Sequence, residues 1–403
     1  MNISVFLFMF KAIWSYIRIK AFICIFKNKS NLMNHINRRN WLRTAGLSSG
    51  LVLMGGLDTI ASEISIRKVA SGSPLKLNAN ENPYSPSKNI QKILTENFDM
   101  TCRYPFRVLR DLVLAIAEKE GVDKDHVVIT GGSTEGLKAA GLLYGMQNRE
   151  IIAADPTFQA LLRYAETFGA KVHRVPVNDR MEHDLDAMAA KINSNTGLIF
   201  LCNPNNPTGT ILDRNKLKDF CSAHEQQAMI FSDEAYYDFI TEPDYPSMVE
   251  LVKQGKNIIV SKTFSKVYGL AGLRVGYLIA KPEIARKLKS AVMANTNVLA
   301  IAAAQESFKD EEFYKFSIAK NMEAKNMIYD TLNELDLPFI RSHTNFVFFK
   351  SGRPISDLIE SMMQENVMIG RPFPPMNHWA RISTGTMEEM TQFSEALKKV
   401  MTS

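Results

Sequence analysis

The chain has 403 residues, 46% of them hydrophobic and 22% charged, which allows a sizeable core and excludes disordered or collagen-like sequence. The formal charge of +6 is uneven: residues 1–62 hold eight Lys/Arg against one Asp, a net of +7, which leaves the rest of the chain at −1. A near-neutral body without a basic stripe offers a polyanion nothing to bind, so nucleic acid is not expected as a partner. Cys24, Cys102, Cys202 and Cys221 have no regular spacing, and the seven histidines form no HxxxH pair, so neither a disulfide framework nor a metal site is expected.

In chain order, the apolar run Val5–Phe26 is interrupted by Lys11, Arg18 and Lys20, which makes a membrane span costly and Met33 a sensible start. From there Asn37-Arg38-Arg39-Asn40-Trp41-Leu42-Arg43, the apolar Ala45–Leu57 and the small Ala61-Ser62 resemble a twin-arginine export signal. Residues 1–62 are therefore expected to be a leader to the periplasm. A basic amphipathic tail on a cytoplasmic protein is the alternative.

Leu75–Pro86, rich in Asn and Pro, predicts an extended arm. Short apolar runs then alternate with helical stretches: Val127–Thr130, Ile151–Ala154, Val172–Val177, Leu198–Cys202, Met229–Ser232, Ile258–Ser261 and Val275–Ala280. The pattern predicts an α/β fold with a mostly parallel, seven-stranded sheet covered by helices on both faces. After residue 290 a long helical stretch, strand candidates Phe339–Phe349, Val367–Ile369 and Ala380–Ser383, and a last helix near Met387–Met401 predict a smaller α+β domain. The expected division is an arm with part of the small domain over 63–110, a large domain over 111–290 and a small domain over 291–403.

Polar, turn-forming segments follow several of these strands, where open α/β sheets bind ligands. Gly131-Gly132-Ser133-Thr134-Glu135-Gly136 leads from a strand into a helix whose free amides suit a phosphate. Asn203-Pro204-Asn205-Asn206-Pro207-Thr208-Gly209 makes a rigid turn, Asp233-Glu234-Ala235-Tyr236 a possible helix cap, and Ser261-Lys262-Thr263-Phe264-Ser265-Lys266 a lysine on a turn. Read singly, each is ordinary loop chemistry.

Together with Leu77-Asn78-Ala79-Asn80-Glu81-Asn82-Pro83-Tyr84, Arg103-Tyr104-Pro105 and Ala380-Arg381-Ile382-Ser383-Thr384-Gly385, these motifs occur in an order that resembles the fold-type-I pyridoxal-phosphate aminotransferases, and most closely the histidinol-phosphate aminotransferase group. The resemblance runs from about Leu75 to the end. It implies pyridoxal 5'-phosphate as cofactor, with Lys266 as the Schiff-base lysine, Asp233 against the ring nitrogen, and Tyr236 and Asn203 on the ring hydroxyl oxygen. Ser133, Thr134, Glu135, Thr263, Ser265 and Arg274 would form the phosphate cup, Phe158 would stack on the ring, and Arg381 would clamp a substrate carboxylate. Arg371 is implied at a distal substrate phosphate, with Asn80 and Tyr84 of the arm also toward substrate. Tyr104 is implied at the cofactor phosphate of a neighbouring subunit, and hence a homodimer with shared sites.

The implied reaction is transamination between an amino donor, histidinol phosphate or a related amino acid, and a 2-oxo acid such as 2-oxoglutarate. Pro105–Arg110 runs straight into a helix and departs from the family pattern, which leaves an aromatic or other donor open. Decarboxylation or β-elimination on the same cofactor, and a non-catalytic periplasmic binder, are the other readings. Histidine biosynthesis is cytoplasmic, so an exported chain would act on a different donor.

Overall fold

The computed structural model describes residues 73–402, which form one compact unit; the expected leader lies outside the described residues. None of the described helices is long and apolar enough to cross a membrane.

The arm begins with β1 (Leu75–Lys76) and leads to α1 (Lys88–Glu96) and α2 (Phe106–Glu120). The large sheet is built from β2 (Val127–Thr130), β3 (Glu150–Asp155), β4 (Lys171–Pro176), β5 (Thr196–Cys202), β6 (Met229–Asp233), β7 (Ile258–Thr263) and β8 (Gly276–Ile279). Its order is β2-β8-β7-β6-β5-β3-β4, and only β8 is antiparallel to its neighbours. Between the strands run α3 (Ser133–Gly145), α4 (Ala160–Thr167), α5 (Leu185–Ala189), α6 (Arg214–His224) and α7 (Val249–Lys253). β5 is buried at all seven positions, which is why it reads as an unbroken apolar run rather than an alternating one.

Two apolar layers cover the sheet. Ile199, Leu201, Ile230, Val260 and Ile279 pack into one core with Ile90, Leu112 and Ile116 of the first helices. Ile151, Leu198, Phe200, Phe231 and Leu278 pack into another with Leu137 and Leu161. Each fully buried Leu, Ile or Phe contributes about 1.5–3 kcal/mol.

After β8 come α8 (Pro282–Ala291), α9 (Val298–Ser307) and the 24-residue α10 (Glu311–Glu334). A second, three-stranded antiparallel sheet holds β9 (Phe339–Ile340), β10 (Phe346–Lys350) and, after α11 (Ile355–Gln364) and β11 (Val367–Met368), β12 (Trp379–Ser383). It packs with α12 (Met387–Thr402) around its own core of Val347, Phe349, Ile382, Phe393 and Leu397. Leu77 joins this core, and β1 pairs in parallel with β11 through Leu75↔Val367 and Lys76↔Met368.

The single strand expected over Phe339–Phe349 is instead two, β9 and β10, paired antiparallel. Ser342 and Thr344 explain the break: their hydroxyls accept from the backbone N–H of Thr344 and Phe346, which bends the chain between the two apolar runs.

Candidate active site

The carboxyl ends of β5, β6 and β7 lie side by side, because Cys202 pairs with Asp233 and Asp233 with Ser261. The reversed β8 starts where its neighbours end, Gly276 facing both Thr130 and Thr263, so Arg274 just before it reaches the same edge. A cavity of about 420 Å³ opens there, lined among others by Lys266, Asp233, Tyr236, Arg381, Ser133 and Arg274.

Asp233 is 2% exposed, and its Oδ1 has no hydrogen-bond partner among the described residues. Burial pushes the carboxyl up to about 7, opposed by the Ala235 backbone N–H. The Lys266 amine donates to the Asn80 carbonyl at 2.7 Å. Burial holds it down at about 8, with Arg381 repelling its charge and Glu81 favouring it. Tyr236 is buried, its hydroxyl pushed upward by desolvation and therefore protonated at neutral pH.

Arg381 comes from β12 in the smaller sheet. Its Nη1 donates to Asn206 Oδ1 at 2.7 Å and its Nη2 to the Asn78 carbonyl at 2.8 Å, while the guanidinium lies 5.3 Å from the Phe346 ring centre and 5.0 Å from that of Phe373. Nε is buried without a partner among the described residues. Burial, helped by Arg371, lowers the group to about 10, and it still carries its charge at neutral pH.

Gly132 precedes α3 with φ +78°, and a Cβ there would overlap the Arg274 guanidinium. A Cβ on Gly276 would stand 2.7 Å from the Ser133 backbone nitrogen, so the α3 N-terminus, Ser265 and Arg274 can converge only on small residues. Arg274 is itself left-handed at φ 59°, with its Nη1 on the Ala271 carbonyl.

Phe158 and Arg371 also line the cavity, Arg371 exposed with its guanidinium 4.5 Å from the centre of the Phe373 ring. Several expected contacts are placed elsewhere. Asn203 does not reach the cavity: its Nδ2 donates to the Tyr245 hydroxyl and its Oδ1 accepts from Leu212 N, so it ties the loop down. Asn206, three residues on, lines the cavity in its stead, between Arg381 and the Tyr236 hydroxyl. Glu135 turns away, its carboxylate accepting from Gly131 N and Met293 N.

Thr263 Oγ1 serves the turn, accepting from Ser265 N and donating to Ser265 Oγ. Tyr84 lies beside a separate small pocket, edge-on to Phe316 at 5.0 Å. Tyr104 is 81% exposed and absent from the cavity lining of its own chain. The lining also holds Cys202, Ala235 and Glu81, which sequence reading did not single out. For Asn206 the signal was present, since the motif offers two candidate asparagines besides Asn203.

The aminotransferase class I and II family model matches residues 73–397. A histidinol-phosphate aminotransferase of Moorella thermoacetica is 35% identical over 349 residues, which cover 86% of this chain and 89% of the relative. Histidinol-phosphate aminotransferase 2 of Methylococcus capsulatus is 33% identical, with 83% and 92% covered. The fold matches the crystal structure of histidinol-phosphate aminotransferase from Sinorhizobium meliloti in complex with pyridoxal-5'-phosphate, with TM-score 0.77, 24% identity, and 82% and 91% of the two chains covered.

Proposed function

This chain belongs to the class I and II aminotransferases, and from that membership we propose that it moves an amino group from histidinol phosphate, or a related amino acid, to a 2-oxo acid such as 2-oxoglutarate. It is a pyridoxal-phosphate-dependent enzyme of transamination. The observation that carries the residue assignment is the meeting of the Lys266 amine, the unpartnered Asp233 Oδ1 and the buried Arg381 in one cavity.

The residues present fit the cofactor. A carboxylate this buried needs a cationic partner to stay ionised, and the ring nitrogen of the cofactor, protonated, would be such a partner for Asp233. Ser133, Thr134, Ser265 and Arg274 would hold the phosphate, with the positive end of α3 and the Gly132 backbone beside it. Phe158 would cover the ring.

When bound, pyridoxal phosphate supplies a cationic conjugated ring that accepts the electron pair left as the donor's Cα–H bond breaks. Lys266 Nζ takes that Cα proton; with its amine held near 8, more of it is neutral at physiological pH than for an ordinary lysine. The Tyr236 hydroxyl would donate to the ring oxygen, with Asn206, which lines the cavity and donates to that hydroxyl, beside it rather than Asn203. Arg381, whose fork is fixed by Asn206, Asn78 and two aromatic faces, holds the substrate anion and so orients Cα toward Lys266. Arg371 at the mouth would meet a distal phosphate.

Single-turnover absorbance of the cofactor-loaded protein, mixed with histidinol phosphate and a panel of amino acids, tests this. Conversion of the cofactor from its aldehyde-derived to its amine form names the donor. Release of carbon dioxide or ammonia without that conversion would replace transamination by decarboxylation or elimination.

The assembly belongs to the same proposal. Phe98, Tyr104, Phe106 and Met293 are all exposed, with Tyr104 and Phe106 stacked at 5.8 Å, which supports a second copy covering them and receiving Tyr104. A monomer in sedimentation at micromolar concentration would refute it. Export by the Arg38-Arg39 signal is likewise proposed, and an export-reporter fusion whose signal survives changing both arginines to lysine would refute that.

A further inference from the structure

Asn80 is 2% exposed, lies at φ 53°, and has every polar atom engaged within the protein. Its backbone N–H donates to Ser383 Oγ at 2.8 Å, and its Oδ1 accepts from the same hydroxyl at 2.8 Å. Its Nδ2 donates to the Tyr236 hydroxyl at 2.9 Å, and its carbonyl accepts the Lys266 amine at 2.7 Å. Asn80 also lines the cavity, where a substrate contact is expected of it.

The bonds run as a relay. Ser383 Oγ accepts the Asn80 N–H and donates its own proton to Asn80 Oδ1. With Oδ1 so engaged, Nδ2 faces Tyr236 and donates to its hydroxyl. A neutral phenol that accepts from Asn80 must send its own proton elsewhere, and the open direction is the cavity that Tyr236 lines.

We propose that Asn80 is a positioning residue that orients the Tyr236 hydroxyl as an obligate donor into the cofactor site and, through its carbonyl, holds the Lys266 amine beside it. The left-handed backbone belongs to the same device, since Asn adopts that conformation more readily than most residues. Asn80 follows β1, which pairs with β11 in a two-stranded sheet, and Ser383 ends β12 of the three-stranded sheet, while Tyr236 and Lys266 follow β6 and β7 of the large one. The inference depends on the proposed bond between Tyr236 and the cofactor ring oxygen.

The test is the pH midpoint of the visible absorbance change of the cofactor-loaded protein, which reads the proton affinity of the ring oxygen and its neighbouring nitrogen. A hydrogen bond donated to an anionic oxygen lowers its proton affinity, so loss of the Tyr236 donor raises the midpoint. Asn80→Gly keeps the left-handed backbone and removes the amide; the midpoint should rise by on the order of half a unit. Ser383→Ala, which frees the amide to flip, should move it the same way by less. In a Tyr236→Phe background neither substitution should move it further.

If Tyr236→Phe shifts the midpoint but Asn80→Gly and Ser383→Ala leave it unchanged, Asn80 is only structural and the inference fails while the role of Tyr236 stands. If Tyr236→Phe itself leaves the midpoint in place, both fail together.

Discussion

The inner and outer halves of the cavity are built differently. Asp233, Tyr236 and Arg381 are buried and Lys266 half-buried, on or beside strand ends, and Tyr236, Lys266 and Arg381 hold specific hydrogen bonds within the chain. Arg371 and Tyr104 are exposed, and among the described residues neither bonds another chemistry-bearing side chain: the Arg371 Nη1 reaches the Pro372 carbonyl, and Tyr104 stacks on Phe106. The inner half is specified by the folded chain itself. The outer half takes its function from what lies outside the chain, a substrate or a second copy.

The largest effect that would separate the halves belongs to Lys266. Lys266→Ala should lower transamination by at least about 10³-fold, because proton transfer and covalent attachment are lost together. Its effect on stability runs the other way. A lysine whose folded value is depressed binds fewer protons when folded, so its unfavourable contribution is full below about 8 and fades as pH rises toward the ordinary lysine range. The cofactor-free variant should therefore unfold at a higher temperature than the parent at pH 7, by a margin that shrinks by pH 10. Transamination within tenfold of the parent would break the assignment.

Asp233 gives a second contrast, with the opposite pH window. Its folded value is raised to about 7, so the folded state binds the extra proton, and its contribution to stability is present below the ordinary carboxylate range and lost as pH rises to about 7. Above that the burial cost is constant, and Asp233→Asn removes it, for a gain on the order of a few kcal/mol in the cofactor-free protein. Cofactor affinity and turnover should both fall, since an amide carries no charge to hold the ring cation. Thermal unfolding of both proteins at pH 4 and pH 8 checks the sign; a difference that does not change between them would mean the group does not titrate in this range.

The same division marks how far the chain could be read before its structure. All seven strands of the large sheet fall where apolar runs placed them; for β5 to β8 the reason is burial on both faces, which leaves a local signal in sequence, whereas the edge strand β4 buries only Val175. Direction leaves none, so nothing in Gly276–Ile279 announces that β8 runs backwards and thereby carries Arg274 to the phosphate end. Asn203 and Asn206 are the same residue type in one turn, and only Tyr245 and Leu212, brought in from elsewhere, decide that the first braces the loop and the second faces the site. Glu135 misled for the same reason, as its partner Met293 is 158 residues away.

Arg371 carries the smallest expected effect and bears most directly on the substrate. Its guanidinium is desolvated enough to be lowered from the ordinary arginine range, with Arg163 as a second positive neighbour, and among the described residues no acidic side chain pairs with it. A charge so placed gains most from an incoming dianion. Arg371→Ala should raise KM for a phosphate-bearing donor by about tenfold, the worth of one charge-assisted hydrogen bond in a half-open site, with kcat little altered. For donors without a phosphate KM should stay within about twofold. Equal losses for both kinds of donor would show that the arginine matters for packing Phe373 beneath Arg381 rather than for substrate, because Phe373 contacts both guanidinium groups and its displacement would loosen the anion clamp for every donor alike.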